Sequence, residues 1–205
     1  MKTLKIKQAF VESYAFALKN IPSIFGSAIL WLLTIWIPYI NVGTTIAMAN
    51  LPIELANGNI MNPLSIFAAK YRKKMGDYLI ISSISATALI GALCFMIIPA
   101  FILAMAWSVA IYVMIEWDKN PVESLKISNN LTYGSKCKIF GLNLLVLSGF
   151  SLITIILLLI TLKINNIVVL VIVAIFLLSL LIGLLLSMRA AIWRQLRENR
   201  SVCEK

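Results

Sequence analysis

An all-α integral membrane protein is the fold class this chain predicts, and three observations predict it. Hydrophobic residues make up 61% of the 205 and charged residues only 13%, far from the balance of a soluble domain. Residues 20–53, 78–115, 139–162 and 164–188 carry no charge at all, and runs of that length are what a bilayer demands. Every Lys and Arg except Lys163 falls in one of four segments: the N-terminal arm, 57–76, 118–138, and the stretch from Arg189 onward.

Those positions decide what the net charge of +10 means. Basic clusters separated by apolar runs follow the positive-inside pattern of membrane proteins, so nucleic acid is not expected as a partner. Cys94, Cys137 and Cys203 show no paired spacing and histidine is absent, so neither a disulfide framework nor a metal or cofactor site is predicted. Glu12 and Lys19 interrupt any apolar core of a signal peptide, and none is expected.

The first element is a surface helix in which Phe10, Tyr14, Leu18 and Ile21 form a stripe opposite Lys5, Gln8, Glu12 and Lys19. The uncharged run that follows is too long for one crossing of ~20 residues and sufficient for two. Pro38 marks the turn, giving spans at 22–37 and 40–56, the second weakly apolar and containing Pro52. Asn62-Pro63 then supplies a cap and a first-turn proline. Leu64, Phe67, Ala68, Tyr71 and Met75 follow at helical spacing, opposite Lys70, Lys73 and Lys74. Two further spans, at 77–97 and 99–117, turn at Pro99. Asn120-Pro121 repeats the cap. With Glu123 placed for a capping box and Gly134 for the helix end, a third surface helix is predicted over 121–133. Ser128, Asn129 and Asn130 make its middle polar, as expected of a helix packed on protein or facing water. Spans at 139–162 and 164–188, split at 163–166, bring the total to six.

With the cations on one side, both termini and both long connections are expected in the cytoplasm. Trp117 and Trp193 suit the inner interface and Trp36 the outer one. An internal repeat runs through the chain: Asn62-Pro63 recurs as Asn120-Pro121, Ile37-Pro38 as Ile98-Pro99, Val11-Glu12-Ser13 as Val122-Glu123-Ser124, and Ile24-Phe25-Gly26 as Ile139-Phe140-Gly141. The unit is one surface helix plus one transmembrane hairpin, at about 4–56, 62–117 and 120–188, with a cytoplasmic tail at 189–205. Each unit crosses twice, so the three form one transmembrane domain related by a pseudo-threefold axis along the membrane normal. Small-residue stripes (Gly43, Ala47, Asn50, Glu54; Ser83, Thr87, Gly91, Cys94; Ser179, Gly183, Ser187) point to close helix packing.

No catalytic constellation emerges, and an enzyme is not expected. The polar positions of interest are Asn50, Glu54, Tyr112 and Glu116. Both glutamates stand at helix C-termini, where the macrodipole disfavours them, so a compensating cation is expected from Lys70, Arg72, Lys73 or Lys119. The alternative is a polar pocket at the inner mouth of the bundle. The cluster Lys70, Arg72, Lys73 and Lys74 is expected to meet anionic lipid at the cytoplasmic face.

Leu125-Lys126-Ile127-Ser128, Leu131, Gly134 and Lys138-Ile139-Phe140-Gly141 together resemble a pattern from a group of bacterial multi-span membrane proteins. The group comprises the membrane domain attached to some glycerophosphodiester phosphodiesterases and its uncharacterised inner-membrane relatives. In it a surface helix, A-L-x-x-S-x-x-L-x-x-G, leads through an aromatic-Lys pair into a span. The match covers about 25 residues, and Cys137 stands where the group has an aromatic residue. The resemblance implies a non-catalytic domain in the bacterial cytoplasmic (inner) membrane, without the phosphodiesterase catalytic domain. Mitochondrial-type carriers share three two-span units but begin on the opposite side and carry a Pro-x-acid-x-x-base signature missing here. The functional expectation is a protein that binds or regulates another membrane component through its cytoplasmic face, with a membrane protein as partner. The alternative is a transporter or permease for a small or lipid-like molecule.

Overall fold

In the computed structural model, which describes residues 4–164 and 166–203, every regular element among those residues is helical. Asn165, in the expected turn at 163–166, lies outside the described residues, as do Lys2 and Lys205 of the charge clusters. The helices are α1 (Ile6–Lys19), α2 (Ile21–Thr34), α3 (Pro38–Ala56), α4 (Ala69–Lys73), α5 (Met75–Phe95), α6 (Ile97–Ala106), α7 (Ala110–Glu116), α8 (Pro121–Thr132), α9 (Lys136–Ile164) and α10 (Ile167–Cys203), with a 3₁₀ turn at Pro63–Phe67. Four segments are long and apolar enough to cross a membrane: Met75–Phe95, Ile97–Glu116, Lys136–Ile155 and Ile167–Glu198. The bent pair α1 and α2 would add a fifth as one broken span. The chain is thus an all-α protein of membrane type.

The prolines and the glycine act largely where expected. Pro38 opens α3 and Pro121 opens α8, each at a position where the missing N–H is an orphan anyway. Gly134 follows α8 with φ +74°, the left-handed residue that ends a helix. Other expectations are corrected. Asn62 caps by accepting from the Leu64 N–H at 3.0 Å, but Asn120 makes no side-chain cap and Glu123 pairs with Lys119 instead, so no capping box forms. The surface helix expected over 64–75 is broken at Ala68, whose ψ of 135° is extended. Ile66 and Tyr71 are buried while Leu64 is exposed, so the apolar stripe does not exist as one face. The span expected at 99–117 is present as Ile97–Glu116, with its helix interrupted between Ala106 and Ala110.

α3 is too polar to be counted among the apolar spans, yet eleven of its 19 residues are buried. It is packed on α2, α10, α7, α4 and the 3₁₀ turn. Its polar groups face protein: Thr44 meets Thr34 at 3.0 Å, and Thr45 accepts from the Trp31 indole at 2.9 Å. Those contacts fold α2 and α3 into an antiparallel hairpin. α5 and α6–α7 make a second, since Ile81 packs against Ala110 and Met114 while Lys74 reaches the Ile115 carbonyl. In the third, Ile139 and Leu142 of α9 share a core with Met188, Ile192 and Trp193 of α10.

The 3₁₀ turn packs on α2 and α3, α4 mainly on α3 and also on α5, and α8 mainly on α5, α6 and α7 and also on α10. α1 packs mainly on α10 and touches α9 and α2. It runs antiparallel to α10: the Lys5 N–H donates to Gln195, while Tyr14 and Leu18 adjoin Leu180 and Leu184. Its stripe of Phe10, Tyr14, Leu18 and Ile21 is exposed, and small residues, Ala9 and Ser13, are buried. An 80° bend at Asn20 then turns the chain into α2.

α10 does not end at Arg189. The expected tail is its continuation, and Met188, Ala190, Ala191, Ile192, Trp193 and Leu196 are among the most buried residues in the protein. Trp193 is accordingly a core residue with no exposed surface, not an interface anchor, whereas Trp36 is 88% exposed. Of the small-residue stripes, those on α3 and α10 are packed as expected: a Cβ on Gly183 would lie 2.9 Å from Ile24. The stripe on α5 is not, because Ser83, Thr87, Gly91 and Cys94 are all exposed.

Candidate functional site

The segments carrying the basic clusters meet at one end of the molecule. There the Leu4 N–H donates to Ser135, Lys74 pairs with Asp118, and Arg197 reaches across to α3 and α7.

Arg197 is the centre of this end. One of its terminal nitrogens donates to the Glu116 carboxylate and to the Asn57 side-chain oxygen, both at 2.6 Å. The second carboxylate oxygen of Glu116 accepts from the Trp193 indole N–H. That indole lies against the rings of Tyr112 and Trp117, with centroids 5.8 and 5.4 Å away. Asn57 terminates α3, Glu116 terminates α7, and Arg197 stands on α10, so one residue from each hairpin contributes. Glu116 and Arg197 are mostly buried, at 19% and 29% side-chain exposure, which strengthens a charge-assisted hydrogen bond relative to a surface pair.

The cation that compensates Glu116 is therefore not on a neighbouring surface helix, as expected, but on α10. Lys119 is occupied by Glu123 at 3.0 Å. The C-terminus of α7 is further served by Lys74, whose ammonium donates to the Ile115 carbonyl at 3.2 Å and to Asp118 at 2.7 Å, where a cation also favours the helix dipole. Lys74 thus has a built-in partner in Asp118, while Lys70, Arg72 and Lys73 are exposed. Asp118 sits at φ 51°. Its carboxyl is held below the usual range by the hydrogen bond from Lys74 and then by that residue's charge.

Glu54 differs from Glu116. Among the described residues no Lys or Arg lies within ion-pair distance of it. Its two oxygens accept from the amides of Asn50, at 3.2 Å, and Asn59, at 2.9 Å. Asn50 is buried and also donates to the Tyr71 hydroxyl at 3.1 Å, and Lys70 stands over the Tyr71 ring, 4.8 Å from its centroid. The ion pair expected at Glu54 is replaced by amides: Asn50 and Asn59 take up its carboxylate, while Arg197, which reaches the end of the same helix at Asn57, pairs with Glu116.

A second polar seam supports the broken span. The helix break frees carbonyls near Ala106, and the Ser128 hydroxyl donates to the Ala106 carbonyl at 2.7 Å. Thr132 does so at 3.2 Å. Ser124, Ser128 and Thr132, one turn apart on α8, have no exposed surface. The polarity of this helix serves protein packing, while Lys126, Asn129 and Asn130 face outward.

The sequence marks Trp193 only as an interface residue and gives no place to Arg197, Asn57, Asn59 or Gln195. A signal existed for the first two: Met188, Ala191, Ile192 and Leu196 recur at helical spacing within a charged segment, the mark of a helix with one buried face. Chemically, the cluster offers a guanidinium, the carboxylate paired with it and amides; it ties helices together. Among the described residues no group of three His, Cys, Asp or Glu side chains could hold a metal. Comparison of the chain with protein-family models, curated proteins and solved structures finds no match.

Proposed function

We propose that this is a non-catalytic integral membrane protein of three hairpins and six crossings, arranged in a pseudo-threefold ring, which binds or regulates another membrane component through its charged end. The observation that carries this reading is the Arg197 clasp, in which the polar groups at the convergence of the hairpins are engaged with one another. Groups so paired hold a fixed surface and do not line a path. The packing of the 3₁₀ turn on α2 and α3, and of α8 mainly on α5, α6 and α7, supports the repeat. The enclosure of α3 supports a polar crossing shielded from lipid, since intramembrane polar groups are tolerated where protein surrounds them. The charge clusters favour a cytoplasmic location for this end, in keeping with the inner-membrane proteins the sequence resembles. Lys70, Arg72 and Lys73, all exposed, are placed for anionic headgroups.

A permease is the second reading, and the break at 107–109 favours it, because interrupted helices form many transport sites. Against it, the freed Ala106 carbonyl is already taken up by Ser128 and Thr132. Co-purification of the intact protein from native membrane separates the two. A stoichiometric protein partner, lost when Lys70, Arg72 and Lys73 or Lys126 are changed to Gln, supports the binding role. A small molecule retained between the hairpins, with no partner, overturns it.

A further inference from the structure

Two apolar grooves flank α1. One, of about 390 Å³, lies in the elbow between α1, α2 and α10 and is walled by Leu18, Ile21, Phe25, Phe176 and Leu180. The other, of about 220 Å³, lies between α1 and α9 and is walled by Phe10, Val146 and Phe150. Tyr14 and Leu184 border both, so the grooves run on either side of one ridge. The elbow has a cause in sequence: α1 stops at Asn20 with an 80° bend, and the missing side chain of Gly183 lets Ile24 approach α10. Ser179 does not make the wall polar, since its hydroxyl donates to the Phe176 carbonyl at 2.8 Å.

No charged side chain borders either groove. Leu18, Ile21 and Phe176 continue outward as exposed apolar surface, and on a protein of membrane type such surface faces acyl chains. Lys7, exposed, stands seven residues before Tyr14, hence on the same face of α1 and two turns nearer the charged end. A cation above a ridge with an apolar groove on each side matches a molecule with one anionic head and two apolar chains.

We propose that the α1 ridge binds one anionic diacyl phospholipid, with its headgroup at Lys7 and its two chains in the grooves on either side of Tyr14. This site uses none of the residues of the Arg197 clasp and does not depend on the partner-binding role proposed above. The test is photo-cross-linking of the full chain in phosphatidylcholine nanodiscs containing trace phosphatidylglycerol with a diazirine in its acyl chain, with adducts mapped by peptide mass spectrometry. The expected result is saturable labelling of both grooves, Tyr14–Phe25 and Phe176–Leu184 in the elbow and Phe10 with Leu145–Ile153 beside α9, competed by unlabelled phosphatidylglycerol. Lys7→Gln should lower the preference for phosphatidylglycerol over phosphatidylcholine about fivefold, the effect of one cation beside an anionic headgroup. Ala17→Trp, which fills the elbow, should suppress labelling there. Unsaturable labelling of equal density on the exposed face of α5 would mean bulk lipid only and would overturn the proposal. Competition by free palmitate as effective as that by phosphatidylglycerol would also overturn it, in favour of a single-chain site. If Ala17→Trp does not fold, saturation and competition on the unaltered protein decide the question.

Discussion

At the scale of single residues, two glutamates at helix C-termini, Glu54 and Glu116, have different surroundings and should respond differently to the same change. Glu116→Gln removes the charge that Arg197 meets at 2.6 Å in a mostly buried setting, and about 1–3 kcal/mol of stability should be lost. Glu54→Gln keeps an oxygen for Asn50 or Asn59 and should cost under about 1 kcal/mol, the scale of an exposed polar contact. Unfolding of each variant in mild detergent measures this. A double-mutant cycle with Arg197→Gln should show coupling for Glu116 and none for Glu54; equal losses would contradict the asymmetry. Asp118 adds a pH dependence. Its folded carboxyl titrates below its ordinary range because of Lys74, so the Lys74–Asp118 pair contributes fully above the ordinary aspartate pKa of ~3.9 and is lost as pH falls through the lower folded value. Stability of Asp118→Asn measured across that acid window should fall less steeply than that of the parent chain.

At the scale of elements, glycines separate packed helices from exposed ones. A Cβ at Gly26 would stand 2.9 Å from Pro63, a rigid ring, so Gly26→Ala should destabilise by about 1–3 kcal/mol through overpacking. Gly91 meets nothing within 4 Å, and Gly91→Ala should be neutral or stabilise by up to about 1 kcal/mol through helix propensity. Thermal melts of the two variants check both, and the opposite order would mean the packing of α2 and α5 is misassigned. Ser128→Ala should cost about 1–3 kcal/mol by withdrawing a buried donor from Ala106. These elements also mark what could be read in advance. Prolines and uncharged runs located the starts of the long helices to within a few residues, because both act locally. The break after Ala106 and the exposure of the α5 stripe were not legible, since small and polar residues look alike whether they meet protein or lipid. The Arg197 clasp was hidden for a related reason. Glu116 announced the need for a cation, but its supplier lies 81 residues away, on a helix whose charged stretch read as a tail.

At the scale of the whole molecule, α10 acts as a post. Its N-terminal part is an apolar span, and its buried C-terminal part contacts α1, α3, α8 and α9. Truncation after Arg189 should therefore abolish folding and not merely remove a tail, visible as loss of a monodisperse peak in size-exclusion chromatography. The docking of α1 rests on the same segment, because the Lys5 N–H donates to Gln195 there. The proposed arrangement, three hairpins with their charged ends together on the cytoplasmic side, has its most direct test in single-cysteine labelling in intact cells, starting from a cysteine-free chain. Asn41 and Met96, beside the turns of the first two hairpins, should react with an impermeant maleimide from outside. Ser65 and Asn129, on the connecting segments, should react only after the membrane is opened. Labelling of Ser65 in intact cells, or protection of Met96, would contradict it.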